Sequence, residues 1–227
     1  MPDDVNFMEV KTVAIAGGIL YRSNNPLKGG DDKKIKEALA VRANINCVIN
    51  FANNRLVTEN LSKDVPWYHK LLAEGNVICL PMTVKIPDVA SNEKKLKLAL
   101  QFMISHKGPY LIHCFAGVDR TGYVIMLLQA LMGSSLKEIS TSYLSAFSFK
   151  DNDSDRIISC RTLNNFLNQI KKMFNGKNIH DINMQSATER YFLHNVGLSQ
   201  DEIARLKHIL SGSIIEMYKS EKAQVIL

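Results

Sequence analysis

The chain has 227 residues, of which 46% are hydrophobic and 22% charged, with a formal net charge of +6 at neutral pH. That profile excludes a disordered or low-complexity chain and suits one substantial hydrophobic core. The basic residues are scattered rather than massed, so they favour encounter with anionic substrates without building a nucleic-acid surface.

The N-terminus "MPDDVNFMEVK" starts acidic. The following "TVAIAGGIL" is too short and wrongly flanked for a signal peptide or membrane span, so no membrane insertion is expected. "KTVAIA" and "GGILYRS" (Gly17 to Ser23) read as short paired strands around a Gly-Gly turn. "KKIKEALAVRAN" reads as a helix ending near Asn44, its lysines a solvated face. "INCVINF" (Ile45 to Phe51) is an apolar run of buried-strand length. A polar stretch around Arg55 and Glu59 precedes a second such run, "NVICLPM", which Pro81 stops. In "SNEKKLKLALQFMISHKG" the helical period places Leu96, Leu100 and Met103 on one face, with Ser91 as N-cap and Gly108 as stop.

"PYLIH" then reads as a strand, and residues from about Thr121 to Met132 as a helix apolar nearly all round, hence central. Ser135 with Glu138, and Ser199 with Glu202, have capping-box spacing and start two further helices. The very polar "FKDNDSDR" (Phe149 to Arg156) reads as a surface loop. The alternation predicts an α/β fold, a central mixed sheet flanked by helices, with a helical C-terminal third over about residues 157–220, in a single domain over 1–227. Cys47, Cys79, Cys114 and Cys160 show neither CxxC pairing nor zinc-type histidine neighbours, so no metal and no disulfide framework is expected. A reducing, cytoplasmic setting fits them best; export without a cleavable signal leaves no mark in a sequence.

Between strand and central helix lies Cys114-Phe115-Ala116-Gly117-Val118-Asp119-Arg120-Thr121. The amides of a strand-to-helix loop converge, and the first-turn amides of the helix have no intrahelical partner, so together they suit a tetrahedral oxyanion. Gly117 permits the close turn. The same amides and the helix dipole stabilise a thiolate on Cys114, the nucleophilic form. Arg120 has the planar fork to hold two phosphate oxygens. Thr121 is placed to hydrogen-bond the cysteine sulfur.

"HCFAGVDRTG" resembles the His-Cys-x5-Arg-Ser/Thr signature of cysteine-dependent protein tyrosine phosphatases. It is closest to the atypical branch typified by secreted bacterial enzymes, whose loop usually reads His-Cys-x-x-Gly-Lys-Asp-Arg-Thr-Gly. "GGILYRSNNPL", "INCVINF" and "RYFLHNVGLSQDEIARLKHIL" are similar to further segments of that branch. The resemblance implies a phosphatase acting without cofactor on phosphorylated proteins: phosphotyrosine, with phosphoserine and phosphothreonine as further substrates.

In the mechanism it implies, Cys114 attacks phosphorus and water hydrolyses the phosphocysteine. Arg120 and the loop from His113 to Thr121 hold the phosphoryl group. His113 tunes Cys114 from within the loop scaffold. Two candidates compete as general acid. Asp88, after Pro87, lies where many members carry the acid on a movable loop; Asp119 lies in the phosphate loop itself.

Two departures stand out. Val118 replaces the usual lysine and Phe115 adds no charge, which argues against a highly anionic lipid head group. "INFANNR" stands where the branch has Asp-Leu-Arg. Arg22 has two readings, an approach to the active site or a structural ion pair, and Cys47 and Cys79 read as packing residues. The rival functions are a phosphoinositide or inositol phosphate phosphatase, an RNA 5′-triphosphatase and a catalytically inactive phosphate-binding module. No nucleic-acid partner is expected, and the oligomeric state is open.

Overall fold

The computed structural model describes residues 6–30, 32–83, 89–146, 153–172 and 178–213. Among these, β1 (Phe7–Glu9), β2 (Leu20–Ser23), β3 (Cys47–Asn50), β4 (Val77–Cys79) and β5 (Tyr110–His113) form one sheet in the order β1-β2-β5-β3-β4. The last four strands are parallel, and β1 pairs antiparallel with β2 at the edge. The fold is therefore the expected mixed α/β sheet flanked by helices.

β3 and β5 are buried along their whole length, which explains their unbroken apolar sequence: a parallel strand covered on both faces has no polar side to show. Side chains still alternate. Cys47, Ile49, Tyr110, Ile112 and Cys114 join the larger core, while Val48 and Leu111 face the smaller one.

The smaller core is closed by α1 (Asp32–Arg42) and α3 (Pro66–Ala73), through Ala40, Tyr68, Leu71 and Leu72. The larger is closed by α4 (Val89–Ser105), α5 (Asp119–Leu131), α6 (Leu136–Leu144), α7 (Asp153–Lys172), α8 (Met184–Tyr191) and α9 (Gln200–Leu210). α5 is the central helix, buried from Val124 to Leu131. Leu96, Leu100 and Met103 of α4 are all buried, as their period requires. Ser135 and Ser199 cap α6 and α9 with complete capping boxes. No helix among the described residues is long and apolar enough to cross a membrane.

Four local readings change. The partner of β2 is Phe7–Glu9 and not "KTVAIA"; instead Thr12 Oγ1 accepts from Ala14 and Ile15 N–H, and Ala16 N–H donates to Leu210 O, which takes this segment out of the sheet. Between β3 and β4 lie two helices that the periodicity reading passed over, α2 (Arg55–Ser62) and α3. Asn54 caps the first, accepting from Val57 N–H, and Pro66 opens the second. Helix α4 begins at Val89, so Ser91 lies inside it rather than at its cap. Asp153 to Arg156 of the proposed surface loop are helical, and residues 149–152 lie outside the described residues.

Candidate active site

The register of the sheet sets Ser23, His113 and Asn50 level at the carboxyl ends of β2, β5 and β3. In parallel sheets this end, beside the central strand, is where ligands bind, because loops and helix N-termini open there. From β5 the chain runs through Cys114 to Val118 and straight into α5.

Three contacts pull the loop carbonyls to one side. Asn25 N–H donates to Phe115 O at 3.0 Å, Asn6 Nδ2 to Ala116 O at 3.3 Å, and Arg22 Nη2 to Gly117 O at 2.7 Å. With the carbonyls committed to the β2 side, the amides turn the other way. From Phe115 to Thr121 no backbone N–H finds a protein acceptor among the described residues. Gly117 makes the bend possible: its φ is 77°, and a Cβ there would lie 2.5 Å from Ser23 O.

At the base of this row Cys114 is buried, 2% exposed, and bears a free thiol. Arg120, on the first turn of α5, sends Nη1 to Phe51 O (2.8 Å) and Met82 O (3.3 Å), past the ends of β3 and β4. Its Nε is buried without a protein acceptor, and a bound oxyanion is what such a donor fits. Phe51 reaches its position through Asn50, whose Oδ1 accepts from Ala52 and Asn53 N–H and whose Nδ2 donates to Thr58 Oγ1. "INFANNR" thus builds the turn that anchors Arg120.

His113 is fully buried and its pKa is pushed down to about 3, by burial first, so the ring is neutral. Nδ1 lies 3.4 Å from Cys114 O and Nε2 2.9 Å from Tyr68 Oη. A carbonyl only accepts, so Nδ1 carries the hydrogen and the Tyr68 hydroxyl donates to Nε2. Burial raises the Tyr68 phenol well above its ordinary value, which keeps that donor protonated.

The other candidates divide. Asp119 sits at the first position of α5, with Oδ1 accepting from Thr162 Oγ1 of α7 at 3.0 Å. Thr121 Oγ1 is buried without a partner, so the expected hydrogen bond to the Cys114 sulfur is not made. Ala116 is exposed at the loop tip, and Val118 is buried in the larger core. Phe115 is 57% exposed, with Lys28 Nζ 4.5 Å from its ring centroid, which brings a charge to the loop rim that its own sequence lacks. Asp88 and Pro87 lie outside the described residues.

Lys36 departs from its sequence reading, and Arg22 follows one of its two, the approach to the loop. Lys36, read as part of a solvated face, is 3% exposed and donates to Asn25 O at 3.3 Å and Lys28 O at 2.9 Å, bracing the segment that carries Asn25. Burial lowers its pKa. Its spacing of four from the buried Ala40 was the available signal. Arg22 makes no ion pair with any carboxylate among the described residues and lies beneath the loop instead. Tyr68 carried no local signal, since nothing in "PWYHKLLA" points to His113. Cys47 donates to Lys107 O and Cys79 to Thr58 Oγ1, and burial raises both thiols, to about 11 for Cys47.

Solved structures similar to this chain include P. aeruginosa TpbA, at 16% identity and a TM-score of 0.44, covering 83% of this chain and 98% of that one. The core catalytic domain of the PP-IP phosphatase SIW14 from S. cerevisiae, in complex with citrate, is 20% identical with a TM-score of 0.43, covering 76% and 94%. A cysteine-to-serine variant of P. aeruginosa TpbA in complex with pTyr is also 20% identical with a TM-score of 0.43, covering 73% and 94%. No curated protein sequence matches the chain. The tyrosine phosphatase family does match, over residues 9–212, from the end of β1 past the last turn of α9. With that match running through the cysteine loop and all of strands β2 to β5, the chain belongs to the tyrosine phosphatase family.

Proposed function

We propose that the chain is a cysteine-dependent protein phosphatase. In this reading it forms one domain, with a phosphate-binding loop over 113–121, and cleaves phosphotyrosine together with phosphoserine and phosphothreonine. The observation that carries the reading is the row of acceptor-free amides from Phe115 to Thr121, with Arg120 Nε beside it, around the free thiol of Cys114.

In the first step the Cys114 thiolate forms a bond to phosphorus as the ester oxygen departs and takes a proton from a carboxylic acid. In the second, water attacks phosphorus and gives its proton to the resulting carboxylate. The P–S bond then breaks, returning its electron pair to sulfur. Loop amides and Arg120 meet the equatorial oxygens in both steps, where charge accumulates. Asp119 and Asp88 are the two proposed acids.

Hydrolysis of an aryl phosphate with chelator present tests the mechanism. Wild type is active, and Cys114→Ser loses activity by about a thousandfold or more. A variant that keeps most of its activity sinks the reading. Comparing pH profiles of Asp88→Asn and Asp119→Asn identifies the acid, whose loss removes the basic limb.

Lys28 over Phe115 favours one second reading, a substrate with another anionic group beside the scissile phosphate, such as an inositol phosphate. Phosphate release from a phosphotyrosine peptide and from an inositol polyphosphate, each with wild type and Lys28→Ala, separates the two: only the second substrate should lose rate in the variant.

A further inference from the structure

Arg22, in β2, is 1% exposed and among the largest fully buried side chains. Its Nη2 holds Gly117 O at 2.7 Å, while Nε and Nη1 are buried with no acceptor. A Cβ on Gly122 would lie 3.5 Å from Nη2, so the guanidinium fills the space between the underside of the loop and the first turn of α5. Burial lowers its pKa to about 10, which leaves it protonated at neutral pH. A buried cation without an anion costs several kcal/mol, so a group of opposite charge is to be looked for nearby.

The ionisable groups around this space come from several elements. Arg22 rises from β2. Tyr143 reaches in from α6 beside Gly122, while the neutral His113 of β5 turns to Tyr68 and the smaller core on the other face of the sheet. Asp119 and Arg120 belong to α5, but Asp119 Oδ1 is bonded to Thr162 and Arg120 Nη1 to Phe51 and Met82. Lys36 of α1 is a further cation, tied to backbone carbonyls. Arg22 stands level with Ile112 in the sheet register, on the face that also carries Cys114, so the guanidinium and the thiol share one side of the sheet; of the two acidic groups on that side, Cys114 and Tyr143, a thiol ionises at lower pH than a phenol.

We propose that Arg22 is a positioning residue that holds Cys114 as a thiolate from beneath the loop, while its bond to Gly117 O keeps the loop amides turned to the phosphate. The assignment rests on Cys114 being the nucleophile. It divides the work between two arginines: Arg120 meets the phosphoryl oxygens, and Arg22 stabilises the sulfur. The division matters most in the second step, when the P–S bond breaks and its electron pair returns to sulfur. Thr121, expected from sequence to hydrogen-bond the sulfur, makes no bond to it here.

The test is the pH dependence of Cys114 alkylation by iodoacetamide, read by mass on the loop peptide, in wild type, Arg22→Gln and Arg22→Lys, each first checked for folding by circular dichroism. Arg22→Gln keeps a donor for Gly117 but not the charge, and the alkylation midpoint should rise by about one pH unit or more. Arg22→Lys should leave it within a few tenths of wild type. A folded Arg22→Gln with an unmoved midpoint overturns the proposal, as does an Arg22→Lys midpoint raised as far. If Arg22→Gln does not fold, Arg22→Lys decides alone: an unmoved midpoint supports the assignment, and a rise of a unit overturns it. Alkylation needs no turnover, so wild type that shows the profile but hydrolyses no ester removes the phosphatase reading and not this one.

Discussion

Gly117 combines a left-handed φ of 77° with a backbone neighbour 2.5 Å from where a Cβ would stand. Neither constraint relaxes without moving β2 or the loop. Gly117→Ala should therefore destabilise the fold by about 2 kcal/mol or more in urea denaturation, and the loop should lose its affinity for phosphate. His113 makes a second prediction. Its folded pKa of about 3 lies below the ordinary 6.5, so the unfolded chain binds the proton that the folded one refuses. Stability is full above about pH 6.5 and falls as pH drops towards 3. In urea denaturation between pH 6 and pH 4, His113→Gln should lose less stability per pH unit than wild type, by up to about 1.4 kcal/mol per unit.

Helix ends do much of the placing at the scale of elements. Loop residues lead directly into α5, whose N-terminus has no side-chain cap, so its amides stay available to a ligand. The ends of α6 and α9 are closed instead. At α9 the Ser199 hydroxyl accepts from Glu202 N–H, and Glu202 returns a bond to Ser199 N–H while also accepting from Gln101 of α4 at 2.7 Å. Ser199→Ala should cost about 1 kcal/mol in chemical denaturation with no change in aryl phosphate hydrolysis, because α9 supports the core side of α4 and not the loop. That contrast separates structural helix ends from the one left open.

For the whole molecule, the site depends on the level carboxyl ends of β2, β5 and β3 and on α5 being buried behind them. A ligand on the loop thus bridges elements that unfold together. Inorganic phosphate at one hundred times its dissociation constant should add about 2.7 kcal/mol to stability, read as a rise in Tm. Arg120→Met should abolish that rise, since it removes both the anchor to Phe51 and the donor at Nε.

Short-range patterns were legible. "HCFAGVDRTG" between two apolar runs was enough to predict the loop, its glycine and the helix behind it, and Ser-x-x-Glu spacing located α6 and α9. These features depend on neighbours within a few residues, where backbone geometry leaves little choice. What tertiary structure decided lies far apart in sequence. Arg22 meets Gly117 across 95 positions and Tyr68 meets His113 across 45, and Lys36 is buried only because the segment after β2 folds over it. A charged side chain carries no mark of the cavity that will enclose it. Chain pattern alone therefore determined that a cysteine stands in a loop between a buried strand and the N-terminus of a central helix, while packing decided which buried cations brace that loop, because burial belongs to the assembled core and not to any one segment.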